Sequence, residues 1–179
     1  MSKGNKPTYN DIEFDSDEEI EFYMWLEEAV KYDFVKSFSY NDVTYDLSPK
    51  QTMTVTKQLK TKTKTVEKFL LHPHIYTPDF TIVAGHRWKL LEDPLDKISD
   101  NYVIDIKGSF NKHGGDKNFS INQKWMFVKH GIFVNKVVPI KFFTSTWCPD
   151  KCKLTPKTRK PRTKYTKIPT LLEKFGAND

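Results

Sequence analysis

The stretch from Tyr76 to Gly108 constrains the chain most, because it holds two β-rich segments with acids at their edges. The first begins Tyr76-Thr77-Pro78-Asp79-Phe80. The second runs Tyr102-Val103-Ile104-Asp105-Ile106 into Lys107 and Gly108. Valine, isoleucine, threonine and aromatic residues favour extended backbone, and Gly108 permits a sharp turn after the second segment. Alternate side chains of a strand share a face, so Lys107 projects beside Asp105. Adjacent strands would bring Asp79, Asp105 and Lys107 to one place.

Helix and strand signals surround this stretch. Ser16-Asp17-Glu18-Glu19 is a capping box, and it predicts a helix from about Asp17 to Tyr32 with Phe22, Leu26, Ala29 and Val30 on its apolar face. Residues 33–50 alternate weakly around turn-formers. Thr52 to Leu71 favours a long basic hairpin or arm carrying Lys57, Lys60, Lys62, Lys64 and Lys68. Extended structure resumes at Ile75, Ala84-Gly85-His86 turns the chain into a segment from Arg87 to Leu91, and a charged loop spans Glu92 to Asn101. A second helix is predicted from Ser120, capped by Ser120 and Gln123, with Ile121, Trp125 and Val128 as its buried stripe and Gly131 ending it. Ile132 to Val134 and Val137 to Phe143 read as strands. This order predicts an α/β fold with a central mixed β-sheet flanked by helices. The expected organisation is a flexible leader over 1–15, a folded domain over 16–147 and an extended basic tail over 148–179, with a short helical turn at Thr170 to Phe175.

Charge adds a partner class. The net charge is +6, yet residues 11–28 hold nine acids and no base, whereas 151–167 hold eight bases and no acid. An excess of cations outside one acidic helix points to an anionic partner. No run approaches the roughly 20 apolar residues of a membrane span, and the N-terminal residues lack an apolar signal core, so a soluble intracellular protein is expected. Cys148 and Cys152 suit a reducing compartment and read as reduced structural thiols rather than zinc ligands. The five histidines lack paired helical spacing and read as surface residues.

Hydrolysis of a phosphodiester requires a divalent cation to polarise a phosphoryl oxygen and acidify water, with a positive group near the developing charge. One or two carboxylates hold such a cation, which keeps several waters. Asp79 and Asp105 supply that pair, and Lys107 reaches the same water or phosphate.

Pro78-Asp79 and Asp105-Ile106-Lys107, with a helix on either side in sequence, resemble the PD-(D/E)XK nuclease superfamily and in particular phage endonuclease I-type Holliday junction resolvases. The resemblance covers roughly Ser16 to Phe143 and rests on these short motifs. It implies a restriction-endonuclease-like core and Mg²⁺ or Mn²⁺ held by Asp79, Asp105 and the Ile106 carbonyl, with Lys107 orienting or activating the attacking water. The family's helix glutamate falls on Glu19, with Glu18 next to it, although a capping glutamate has a complete structural explanation too. Aspartate at 105, where many members carry glutamate, shortens that ligand by one methylene.

The function expected from this resemblance is a metal-dependent DNA endonuclease selective for branched DNA. It would act as a homodimer in the cytoplasm, the host's if the gene is a phage's. Lys60, Lys62, Lys64, Lys124, Lys157, Arg159, Lys160, Arg162 and Lys164 are the candidate DNA contacts. The alternatives are a nicking, restriction-like or end-processing nuclease on the same fold, and a non-catalytic DNA-binding protein that retains it.

Overall fold

In the computed structural model, which describes residues 6–92, 94–96, 101–108, 115–155 and 160–176, the chain is mixed α/β with four helices and several small sheets among those residues. In chain order the elements are β1 (Thr8–Tyr9), β2 (Ile12–Glu13), α1 (Asp17–Lys31), β3 (Val35–Tyr40), β4 (Tyr45–Ser48), β5 (Gln51–Gln58), β6 (Thr63–Leu71), β7 (His74–Tyr76), β8 (Phe80–Ala84), β9 (Tyr102–Ile106), α2 (Gly115–His130), β10 (Val134–Val137), α3 (Pro139–Ser145) and α4 (Leu171–Phe175). The largest sheet has four strands in the order β10-β9-β8-β3; β9 and β10 are parallel and the other pairs antiparallel. Among the described residues no helix is long and apolar enough to cross a membrane.

β9 lies in the middle of this sheet, and all five of its residues are buried. Its period of two divides them between two clusters. Tyr102, Ile104 and Ile106 pack with Phe22, Trp25 and Leu26 of α1 in the main core, which also takes Phe80 and Ile82. Val103 joins Leu47, Tyr76 and Val134 in a smaller cluster with Phe119 and Met126 of α2.

Ser16 caps α1, and its Oγ accepts the Glu19 amide at 3.2 Å. The buried face is Phe22, Trp25, Leu26 and Ala29, spaced i, i+3, i+4 and i+7. Val30, expected on that face, is 39 % exposed, because Trp25 occupies the stripe instead.

α2 departs further from expectation. It begins at Gly115, so Ser120 lies inside the helix and does not cap it. Phe119 and Met126 face the sheet, and the Gln123 side chain donates to the Val134 carbonyl at 2.7 Å. Ile121, Trp125 and Val128, the expected buried stripe, project outward, with Val128 82 % exposed. The helix carries apolar residues on two opposed faces, and the sheet covers one. Gly131 follows with φ +65, as a helix-ending residue requires.

Two further segments are helical turns. Trp88–Leu91 is a 3-10 turn, and α3 replaces the strand expected up to Phe143, with Pro139 pre-set for a first helical position. The long hairpin forms as expected, β5 against β6.

The described ends of the chain are packed, against the expectation of a loose leader and an extended tail. β1 pairs with β2 through a turn at Asn10 and Asp11, and Phe14 is fully buried. Beyond Trp147, the side chains of Cys148, Cys152, Tyr165, Ile168 and Leu171 enter the main core. α1 holds this segment electrostatically. Buried Glu21 accepts from Arg162 at 2.6 Å, from Lys164 at 3.0 Å and from the Tyr165 hydroxyl. Glu28 accepts from the Trp147 indole at 3.1 Å and from the Asp150 amide at 2.8 Å, and Glu27 accepts from Tyr9 and Lys151. The acids of α1 and the bases of the tail are thus partly partners of each other. α4, capped by Thr170 and Glu173, stands where a short helical turn was expected.

Removing one partner of a buried, hydrogen-bonded ion pair leaves uncompensated charge. Glu21→Ala should lower the unfolding free energy in urea by about 3 kcal/mol and speed proteolysis between residues 153 and 170. A change below about 1 kcal/mol would mean that the segment is held by its apolar side chains alone.

Candidate metal centre

The Phe80↔Ile104 pair is the last rung of the β8–β9 ladder toward the start of β8. Pro78, which has no N–H to offer, precedes Asp79 there. Ile106 lies beyond this last pair, and its N–H donates to Asp79 Oδ2 at 2.5 Å. On the other side of β9 the Lys107 N–H donates to the Val137 carbonyl at 2.8 Å. Main-chain groups alternate along a strand, so the Ile106 carbonyl faces the same edge as its N–H, beside Asp79.

Asp105 points to the face shared with Val103 and is 5 % exposed. Lys107 Nζ donates to its Oδ1, and the Tyr76 hydroxyl donates to its Oδ2. The same ammonium lies 5.9 Å from the centre of the Phe119 ring. The sequence-derived trio of Asp79, Asp105 and Lys107 is therefore brought together. Tyr76, in the first motif but given no role there, is the additional member.

Glu19 is buried at the start of α1, and both oxygens of its carboxylate accept hydrogen bonds. Ser16 Oγ donates to Oε1 at 2.7 Å, while the Tyr40 hydroxyl and the Asp15 amide donate to Oε2 at 2.7 and 3.1 Å. Its charge, like the larger effect of Asp105, raises the Asp79 pKa. The neighbouring Glu18 carboxylate comes within 3.4 Å of where a side chain on Gly108 would begin.

Burial is the largest influence on Asp79 and Asp105 the next, and together they push its pKa from 3.8 to about 7 despite the opposing pull of the Ile106 amide and Lys107. Burial and the charge of Asp105 also push the Tyr76 phenol far up, so it remains a donor.

Among the described residues no group of three histidine, cysteine, aspartate or glutamate side chains is arranged to hold a metal ion. The donor set is two carboxylates and a main-chain carbonyl. That set fits Mg²⁺ or Mn²⁺, which take one or two carboxylates and complete an octahedron with water. The excess negative charge that raises Asp79 is what a divalent cation would relieve.

The other candidates are scattered. Lys60, Lys62 and Lys64 are exposed at the tip of the β5–β6 hairpin, Lys124 on α2 and Lys160 near the Leu154↔Pro161 bridge. Arg162 and Lys164 are both paired with Glu21, Arg162 partly buried and Lys164 exposed. Lys157 and Arg159 lie outside the described residues. Cys148 and Cys152 are free and buried, and burial pushes the Cys148 thiol up to about 12. His86 pairs with Asp33 at 2.8 Å and His130 meets the Asp46 carbonyl at 3.2 Å; His113 lies outside the described residues.

No family model matches the chain, and comparison with curated proteins and with solved structures finds no match.

An aspartate raised in the folded state retains its proton while the unfolded chain has lost its own. Asp79 therefore draws down stability in EDTA as pH rises from about 4 to about 7, after which the loss levels off. Asp79→Asn keeps the neutral form, so it should remove this fall and exceed wild type at pH 8 by about 1–3 kcal/mol in urea unfolding. Parallel pH profiles for the two proteins would show that Asp79 is not strained by its neighbours.

Proposed function

We propose that the chain is a divalent-metal-dependent DNA endonuclease with a restriction-endonuclease-like core, selective for branched DNA such as a four-way junction. The observation that carries this reading is the convergence of Asp79, Asp105 and Lys107, from stretches 26 residues apart, at the open end of the β8–β9 ladder.

A divalent cation at this point supplies a Lewis acid for the phosphoryl oxygen and lowers the pKa of attacking water. Asp79 and Asp105 would hold it, with the Ile106 carbonyl beside them. Lys107 pairs with Asp105 in the free protein, and its ammonium would orient the water or meet the developing charge once the cation is held. By the resemblance, in-line attack of water on phosphorus would break the bond to the 3′ oxygen and leave 5′-phosphate and 3′-hydroxyl ends. Glu19 acts from the helix through its field on Asp79, not as a ligand.

The β5–β6 hairpin is the DNA-facing arm. Lys57 sits directly opposite Lys64 in its register, a like-charge pair that opposes hairpin formation and that a phosphate backbone relieves. Two-stranded ribbons are marginal alone, and a bound polyanion gives this one a partner. A homodimer supplies the two cuts a symmetric junction requires. A second copy would also cover the outward stripe of Ile121, Trp125 and Val128, which the sheet leaves exposed.

Purified protein with labelled four-way junction, linear duplex and single strand, in Mg²⁺ or EDTA, tests the reading. Junction should be cut selectively in Mg²⁺ only, with a loss of about 100-fold or more in Asp79→Asn and Lys107→Ala. Binding without cleavage even in Mg²⁺ would leave a non-catalytic DNA-binding protein. Equal cutting of all three substrates would leave a nuclease of another specificity.

A further inference from the structure

The two oxygens of Asp105 are held by very different partners. Oδ1 takes the ammonium of Lys107, a long side chain 30 % exposed and free to swing away. Oδ2 takes the hydroxyl of Tyr76, whose ring is 8 % exposed and fixed among Leu47, Val103, Phe119 and Met126. Tyr76 is also pinned by its backbone, since it ends β7 and pairs with Tyr45 of β4. A flexible lysine can yield its oxygen to a cation, whereas a ring locked in a core cannot. The carboxylate is thus left with one oxygen held and one exchangeable.

From this geometry we infer that Tyr76 is a positioning residue: its hydroxyl fixes the rotation of Asp105 so that Oδ1 faces a divalent cation, without touching the cation itself. This role presupposes the metal site proposed above. β4 and β7 continue directly into β5 and β6, so the same hydrogen bond joins the root of the basic arm to the carboxylate.

Side chains that hydrogen-bond a metal's own ligand typically govern affinity by about 10- to 100-fold. Tyr76→Phe keeps the ring and removes one oxygen. Mn²⁺ binding to the metal-free full chain, read from the paramagnetic resonance signal of free Mn²⁺ at a temperature where both proteins are folded, should weaken about 10- to 100-fold in the variant. A purely structural role would lower the unfolding midpoint in EDTA and leave the Mn²⁺ affinity of the folded protein unchanged; that result overturns the inference. Wild type that binds no Mn²⁺ overturns the metal site, and this role with it, whereas tight binding by both proteins refutes Tyr76 alone. Should Tyr76→Phe fail to fold, wild type still decides. Adding Mn²⁺ should perturb a tyrosine ultraviolet band, absent in Asp105→Asn, and Mn²⁺ binding with no such perturbation overturns the proposal.

Discussion

The antiparallel register that sets Phe80 opposite Ile104 leaves Asp79 where the β8–β9 ladder stops. One residue further in either direction, the acid would face a paired strand or lie beyond reach of Ile106. At this point it takes the N–H that the ladder no longer uses, and Asp105 lies one residue away along β9. Two carboxylates so placed repel each other, and burial magnifies the repulsion. The raised Asp79, the ammonium of Lys107 and the phenol of Tyr76 are the ways in which this protein accommodates that charge.

Much of the remaining acidic charge of α1 is taken up by the C-terminal segment. A helix with so many acids would repel a polyanion if it faced one. In the fold Glu21, Glu27 and Glu28 are taken by Arg162, Lys164, Lys151 and Tyr9 and by the indole of Trp147. The tail thereby pairs with part of the acidic charge of α1 and completes the main core. The cations of the β5–β6 hairpin, in contrast, are exposed.

Elements written in local signals were legible in the sequence. Ser16 with Glu19 started α1, the β-branched run of Tyr102 to Ile106 gave β9, and the threonine-rich stretch with lysines gave the β5–β6 hairpin. The trio at the site was legible for the same reason, as two short motifs on two strands. What depended on distant packing was not. Periodicity placed an apolar stripe on α2 at Ile121, Trp125 and Val128, but which of two apolar faces meets the sheet depends on Phe119, Met126 and Val134 coming together. Prolines and lysines after Trp147 read as an unfolded arm, because no local pattern announces that Glu21 lies 141 residues from Arg162 in sequence and 2.6 Å away in space. Tyr76 was in view without a role, since its hydroxyl meets a carboxylate 29 residues further on.

The central claim is that Asp79 and Asp105 together hold a divalent cation. Crystals grown with Mn²⁺ and measured for its anomalous scattering test it without reference to any substrate. The account predicts a peak about 2.0–2.3 Å from an oxygen of each aspartate, near the Ile106 carbonyl, with Lys107 displaced from Asp105. A crystal with Mn²⁺ bound elsewhere on the protein and Lys107 still seated on Asp105 would contradict it.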